Sequence, residues 1–256
     1  MIKNKVCAVI PAAGRGSRLN CKEPKILVPI KNEKTVWHII YEKLSPLVDN
    51  IHVVLSPESV DLFETQLTND HILNGVSTSI QMDPIGMGDA IFGAYDSWKN
   101  HKNILIIWGD QVFVSIKTFQ DTIKTHLSRG NHNLTIPISF IDNPYVQYIF
   151  KDEFTQLIDV KQSREGDICE KSGFSDVGVF CLSTSKLKDA WKEYLKNKQA
   201  GELTGEINFL PFLSFISMEK CWDLNNIIVE DPIESRGINT RHDLYYFRKI
   251  FKSITK

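Results

Sequence analysis

Near its N-terminus the chain carries a string of residues suited to holding phosphates: Pro11-Ala12-Ala13-Gly14-Arg15-Gly16-Ser17-Arg18-Leu19, with Pro24-Lys25 shortly behind. The string follows the apolar run Val6–Ile10, which reads as a strand buried on both faces. Small residues at such a strand end let the backbone approach a ligand closely and aim several N–H groups at one point. Arg15, Arg18 and Lys25 bring the positive charge that a triphosphate requires. Two familiar phosphate-binding patterns fail. A dinucleotide fingerprint wants a third glycine where Leu19 stands, and an acidic residue closing the second strand, where Leu55-Ser56-Pro57 occurs. A P-loop needs Gly-Lys-Ser/Thr, which is absent. Gly-x-Gly alone would be an ordinary turn with solvated arginines; the whole string is more specific.

Three further segments carry matching chemistry. Gly109-Asp110 follows the apolar Ile104–Trp108, which puts Asp110 at the carboxyl end of a central strand, where open α/β sheets bind ligands. A carboxylate there can hold magnesium, with triphosphate oxygens and water completing the octahedron; alone, it is more often a helix cap. Gln81-Met82-Asp83-Pro84-Ile85-Gly86-Met87-Gly88-Asp89-Ala90 reads as a strand, a glycine turn and a helix start, and its glutamine amide could read a base edge. Arg236-Gly237-Ile238-Asn239-Thr240 offers the Asn239 carbonyl as a second metal ligand, although by itself it is a turn.

The elements that must position these residues alternate through the first half. Strands are expected at Val6–Ile10, Ile51–Leu55, Thr78–Met82, Ile104–Trp108 and Asn133–Ile141. Helices are expected at Thr35–Leu44, Glu58–Leu67, Gly88–Lys99 and Ser115–Ser128. Such alternation implies right-handed crossovers and a mostly parallel sheet covered by helices. After about residue 142, strand candidates Tyr148–Phe150, Phe154–Val160 and Val177–Leu182 lack helices between them and point to an antiparallel extension. Lys161–Gly173, charged and carrying two glycines, reads as a mobile surface loop. Helices return at Lys186–Lys196, Glu206–Ile216 and His242–Phe251. The expectation is one domain over 1–256, with a nucleotide-binding lobe to about 141 and an acceptor-binding lobe beyond.

Composition agrees with an ordinary globular chain: 256 residues, 42% hydrophobic and 24% charged. Thirty basic and 31 acidic residues leave a net charge of -1, which argues against coating a nucleic acid, so phosphate binding should be local. Cys7, Cys21, Cys169, Cys181 and Cys221 form no CxxC pair and read as thiols in a reducing cytosol. No apolar stretch reaches the about 18–20 residues of a membrane span, and the N-terminal run is too short for a signal peptide. A cytoplasmic protein is expected.

Together these segments resemble one family, the sugar-1-phosphate nucleotidyltransferases, and within it the uridylyltransferase domain of the bacterial N-acetylglucosamine-1-phosphate uridylyltransferases. Ala12–Arg18 with Pro24-Lys25 is similar to the family's L-A-A-G-x-G-T-R…P-K signature. Gln81 and Gly86-Met87-Gly88 resemble its Q-x-x-x-x-G-T-G segment, Gly109-Asp110 its metal-binding Gly-Asp, Gly205-Glu206 its G-E-Y-Y turn and Gly237-Ile238-Asn239 its G-V-N-N turn. The resemblance implies a Rossmann-like, doubly wound α/β fold with a partly antiparallel acceptor lobe. It implies Arg18 and Lys25 as catalytic residues, and Ala12, Ala13, Gly14, Gly16, Gln81 and Gly86 around the nucleotide. Asp110 and Asn239 would hold Mg2+, and Asp159, Asp176 and Glu206 would line the acceptor site. The reaction implied is magnesium-dependent transfer of a nucleoside monophosphate from a triphosphate (UTP or CTP) to a phosphorylated acceptor, with release of pyrophosphate.

Departures from the family concentrate in the acceptor half. Ser17 and Met87 stand where threonines are usual, and the family's G-Y-G is missing around Asp142–Tyr148. Asp159 takes the place of a sugar-contacting glutamate and Asp176 that of an asparagine. The family's acetyltransferase domain is not expected either, since the chain ends after the last helix. N-acetylglucosamine 1-phosphate is therefore expected to be a poor acceptor. Two rival readings keep the same phosphate chemistry or lose it altogether: a cytidylyltransferase acting on an alcohol phosphate, and a silent nucleotide-binding homologue, against which the joint presence of Arg18, Lys25, Asp110 and Asn239 speaks.

Overall fold

The computed structural model describes residues 5–14, 16, 19, 21, 23–31, 33–72, 74–197, 201 and 203–253. Its first half runs β1 (Val6–Pro11), a hairpin of β2 (Pro29–Lys31) and β3 (Lys34–Thr35), α1 (Val36–Leu44), β4 (Asn50–Leu55), α2 (Pro57–Asn69) and β5 (Val76–Ile80). There follow α3 (Met87–Gly93), α4 (Tyr95–Trp98), β6 (Asn103–Ile107), α5 (Ile116–Leu127) and β7 (Asn133–Asp142). The second half has β8 (Val146–Lys151), β9 (Gln156–Gln162), β10 (Ser172–Asp176) and β11 (Val179–Ser183). It closes with α6 (Leu187–Asn197), α7 (Leu210–Met218), β12 (Asp223–Ile228) and α8 (Arg241–Ser253).

One large sheet has the order β10-β7-β11-β6-β1-β4-β5, with β12 added on β7. The pairs β1–β4, β1–β6, β4–β5 and β7–β12 are parallel, whereas β11 runs antiparallel between β6 and β7, and β10 antiparallel to β7. Alternation along β1 shows why its run is apolar without a break. Val6, Ala8 and Ile10 pack into the core under α1, α2, α5 and α8, with Trp37, Phe63, Phe119 and Phe247. Cys7 and Val9 face a second core under α3, α6 and α7, with Ile91, Trp191 and Phe212. A strand covered on both faces has no polar side to present. The chain leaves β1 for β4 on one side and returns with β6 on the other, so the carboxyl ends of β1 and β6 flank the crevice where such sheets bind ligands.

The expected doubly wound α/β sheet with an antiparallel extension is present, and the differences are local. The helix expected over Gly88–Lys99 is broken at Ala94 into α3 and α4. The one expected from Glu206 starts at Leu210, with Pro211 in its first turn, where a missing N–H costs nothing. The expected loop Lys161–Gly173 contains the end of β9 and the start of β10. Neither β12 nor the β2–β3 hairpin was expected; β12, Asp-Leu-Asn-Asn-Ile-Ile, lacks both the apolar run and the strict alternation of a strand. The lobe boundary near residue 142 falls at the end of β7, which pairs with strands from later in the chain. Among the described residues no helix is long and apolar enough to cross a membrane, and the five cysteines are unpaired.

Two histidines are buried uncharged within this frame. His52 lies between the hydroxyls of Ser77 (2.8 Å) and Ser79 (2.9 Å), and His126 between Thr135 and Asn103, both at 3.0 Å. Burial lowers each from 6.5 to about 4. Between those values the unfolded chain takes up protons that the folded chain refuses, so these residues cost stability as pH falls. The thermal midpoint of the wild type should therefore fall relative to that of a His126→Gln variant between pH 7 and pH 5. A parallel decline in both proteins would contradict a buried neutral His126.

Candidate active site

The carboxyl ends of β1 and β6 bring the sequence-predicted residues together at a lysine. Lys25, in the short helical turn Lys25–Leu27, places its ammonium 2.5 Å from Asp110 Oδ2 and 3.1 Å from Asn239 Oδ1. Asp110 follows β6, and the turn bearing Asn239 is folded against it, with the Ile238 N–H donating to the Asp110 carbonyl (3.3 Å). That turn is held by Asp243 in the first turn of α8. Its carboxylate accepts from the Asn239 and Thr240 N–H groups and from the Thr240 hydroxyl. Asp243 N–H donates back to Thr240 Oγ1, the reciprocal arrangement of a capping box. Burial would raise the Asp243 pKa, but these hydrogen bonds and Arg236 hold it below the usual carboxylate value. Two oxygen acceptors thus converge on one cation. Hard oxygen donors of this kind suit magnesium, and the ammonium between them marks where positive charge is needed. Among the described residues no cluster of three or more His, Cys, Asp or Glu side chains could hold a metal, and substrate oxygens and water can complete the shell of an ion at this point.

The cleft around this centre has two adjoining halves, of about 780 and 580 Å3, which share Pro11, Gly14, Lys25, Met87, Arg164 and Asn239. The larger half is lined by Ala13, Gly14, Gly16, Gln81 and Gly86. Ala12 lines the smaller half, and its N–H is committed to the Val54 carbonyl (2.8 Å), so it cannot serve a ligand. Arg18, together with Arg15 and Ser17, lies outside the described residues. Gln81 is buried and donates through Nε2 to the Gly86 carbonyl (3.0 Å) and to Asp89 Oδ2 (2.8 Å). Both partners are pure acceptors, which orients the amide and leaves Oε1 as the group it can offer a base. Gly86 makes this possible. Its φ is +135°, and a Cβ there would stand 2.5 Å from the Ile207 carbonyl oxygen, so only glycine fits.

The smaller half contains Asp176, which is buried at the end of β10 and accepts from the Gly178 N–H at 2.6 Å. Burial raises its carboxyl to about 6, and the charge of Asp110 adds to the effect. Asp159 needs correcting. It lies exposed on β9, lines neither half of the cleft, and accepts from the Val160 N–H (2.8 Å). The β8–β9 pairing shifts register between Ile149 and Phe150, which oppose Asp159 and Leu157, so alternation counted from the strand start fails beyond it. Gln162, buried at the end of β9, faces the cleft instead. Glu206 is also displaced from its expected place: it lines the larger half, paired with Arg164 at 3.2 Å.

Several lining residues were not anticipated. Arg164 reaches both halves and donates to Asn208 Oδ1 (2.5 Å), yet it comes from the stretch expected to be a surface loop. Arg236 pairs with Asp243 (3.3 Å) and stacks over Tyr246 at 4.4 Å. Asp89 lines neither half but accepts from Gln81, and it was legible only as part of a longer segment, since nothing in its type tied it to that glutamine. Gln111 sat beside the Gly-Asp pair, a position that could have drawn attention to it.

Residues 8–153 match the model of the MobA-like NTP transferase domain family, and the chain belongs to that family, a class of nucleotidyltransferases. Over 247 residues it is 27% identical to the bifunctional protein GlmU of Ruthia magnifica subsp. Calyptogena magnifica, covering 96% of this chain and 51% of that protein. The chain spans about half the length of the curated relatives it matches. In fold it is similar to a Bacillus anthracis structure assigned as a glucose-1-phosphate thymidylyltransferase, in complex with sucrose. The TM-score is 0.74 at 15% identity, over 96% of this chain and 94% of the other. It is similar also to 4-diphosphocytidyl-2C-methyl-D-erythritol synthase from Anaerococcus prevotii, with a TM-score of 0.66 at 14% identity, over 97% and 96%. The nucleotide-diphospho-sugar transferase fold is common to them.

The orientation of Gln81 can be tested through its partner. Asp89→Ala should raise KM for the nucleoside triphosphate about fivefold or more while kcat changes little, because a binding contact is loosened and the reaction centre is not. Unchanged KM for every triphosphate would show that Asp89 does not orient the amide.

Proposed function

We propose that the protein transfers a nucleoside monophosphate, UMP in the first instance, from its triphosphate to a sugar 1-phosphate and releases pyrophosphate. The observation that carries this reading is the position of Lys25, Asp110 and Asn239. Lys25 and Asn239 line both halves of the cleft, so they stand where a triphosphate in one half would meet a phosphate in the other.

In this reading an oxygen of the acceptor phosphate attacks the α-phosphorus in line, and the bond from the α-phosphorus to the bridging oxygen of the pyrophosphate breaks. The nucleophile is already an anion, so neither a base nor a covalent intermediate is required. What the protein contributes is positioning and charge. Lys25 neutralises charge on the α-phosphoryl group and the incoming phosphate. Arg18, from its place in the signature, holds the departing β- and γ-phosphates. Ala13, Gly14 and Gly16 border the phosphates, and Gln81 offers Oε1 to an N–H of the base. Asp110 and Asn239 are the residues that would hold magnesium. When bound, the ion supplies further neutralisation of the phosphate charge.

The same Gln81 oxygen also suits the exocyclic amine of cytosine, which keeps cytidylyl transfer to an alcohol phosphate as the second reading. A pyrophosphate-release screen of the four triphosphates against sugar phosphates and alcohol phosphates separates the two. Turnover should peak with UTP and a sugar 1-phosphate other than N-acetylglucosamine 1-phosphate, and should stop in excess chelator. Lys25→Ala and Arg18→Ala should each lower kcat about a hundredfold or more without loss of folding. Near-normal turnover in both variants, or full activity in chelator, would overturn the assignment.

A further inference from the structure

Buried polar atoms in folded proteins almost always have partners, and an exception calls for an explanation. Among the described residues, a few buried side-chain atoms have none: they include atoms of Trp37, His101, Gln111, Asn133, Ser139 and Asn226. Of these residues only Gln111 lines the cleft. It lines the smaller half, is 5% exposed, and its Oε1 is the orphaned atom.

The surroundings keep Gln111 there. Its N–H donates to the Trp108 carbonyl (3.2 Å), which fixes the backbone immediately after Asp110. Gly178 closes over the side chain with φ +73°, and a Cβ at that position would stand 2.5 Å from Gln111 Cγ. The same glycine donates its N–H to Asp176. Gln111 is thereby packed against the turn that holds the buried carboxylate of this half, one residue from the reaction centre.

Resting on the reading of this half as the acceptor site, we propose that Gln111 determines acceptor specificity, its amide oxygen accepting a hydrogen bond from a hydroxyl of the bound acceptor. The acceptors favoured are then sugar and polyol phosphates. The walls formed by Trp108 and Phe209 would also suit a quaternary ammonium group. Such a group has no N–H or O–H, however, and would seal Gln111 Oε1 away unpaired. A site built around a buried acceptor rejects a ligand lacking the matching donor, by about tenfold to a hundredfold for one such contact.

The test uses the full chain with magnesium and the preferred triphosphate, comparing wild type, Gln111→Met and Gln111→Glu. The acceptors are a panel of hexose and hexosamine 1-phosphates, polyol phosphates, and phosphocholine. In Gln111→Met the KM for the best sugar phosphate should rise about tenfold or more, with KM for the triphosphate within about twofold of wild type. Its thermal midpoint should hold or increase, because an unpaired buried atom has been removed. Gln111→Glu, which keeps an oxygen acceptor, should retain more acceptor affinity than Gln111→Met. An unchanged acceptor KM in Gln111→Met, or a lowered midpoint with both KM values raised together, would overturn the inference while leaving the proposed reaction intact. A wild type that turns over phosphocholine and no sugar phosphate, or none of these acceptors, would overturn both.

Discussion

Everything in the cleft is arranged around one ammonium group. Lys25 reaches Asp110 and Asn239 across sequence separations of 85 and 214 residues. Asp110 and Asn239 present only oxygen at this point, and two acceptors cannot satisfy each other. The cation between them satisfies both oxygens where the three segments meet. The fold brings each one there by a separate device: a helical turn after the signature string, the end of the central strand β6, and the capped start of α8. That arrangement lies at the carboxyl ends of β1 and β6, where the chain reverses its winding direction and opens a crevice.

Much of the half proposed to bind the nucleotide was legible in the sequence because its constraints are local. Val6–Ile10 announces a strand covered on both faces, and the small residues after it announce close backbone approach. Gly109-Asp110 likewise follows an unbroken apolar strand, so the placement of Asp110 depends on nothing remote. Gln81 was legible as a residue at a strand end, but not its orientation. That depends on Asp89, in the first turn of the next helix, and on a glycine pressed against Ile207. Contacts between segments far apart in sequence leave little trace in either one.

The second half of the chain, proposed to bind the acceptor, was less legible for a related reason. Its strands pair antiparallel and carry irregularities that change which side chains face inward. A register shift in the β8–β9 hairpin turns Asp159 outward and leaves the inward place to Gln162. The charged stretch after β9 looked like solvated surface, yet Arg164 joins Glu206 and Asn208 beside the cleft. A charge in a loop has the same appearance in sequence whether water or a carboxylate meets it. β12 escaped notice because its asparagines break the apolar pattern, while its pairing with β7 is what ties the end of the chain to the sheet.

The claim that Lys25 and Asp110 form one reaction centre is tested most directly by a double-mutant cycle on turnover. The turnover rates of wild type, Lys25→Ala, Asp110→Asn and the double variant would be compared at saturating substrate and magnesium. Residues that act as a unit lose their contribution once, so the double variant should be about as slow as the slower single variant. Losses that instead multiply, with each substitution exerting its full effect in the presence of the other, would contradict a shared centre at the carboxyl end of β6.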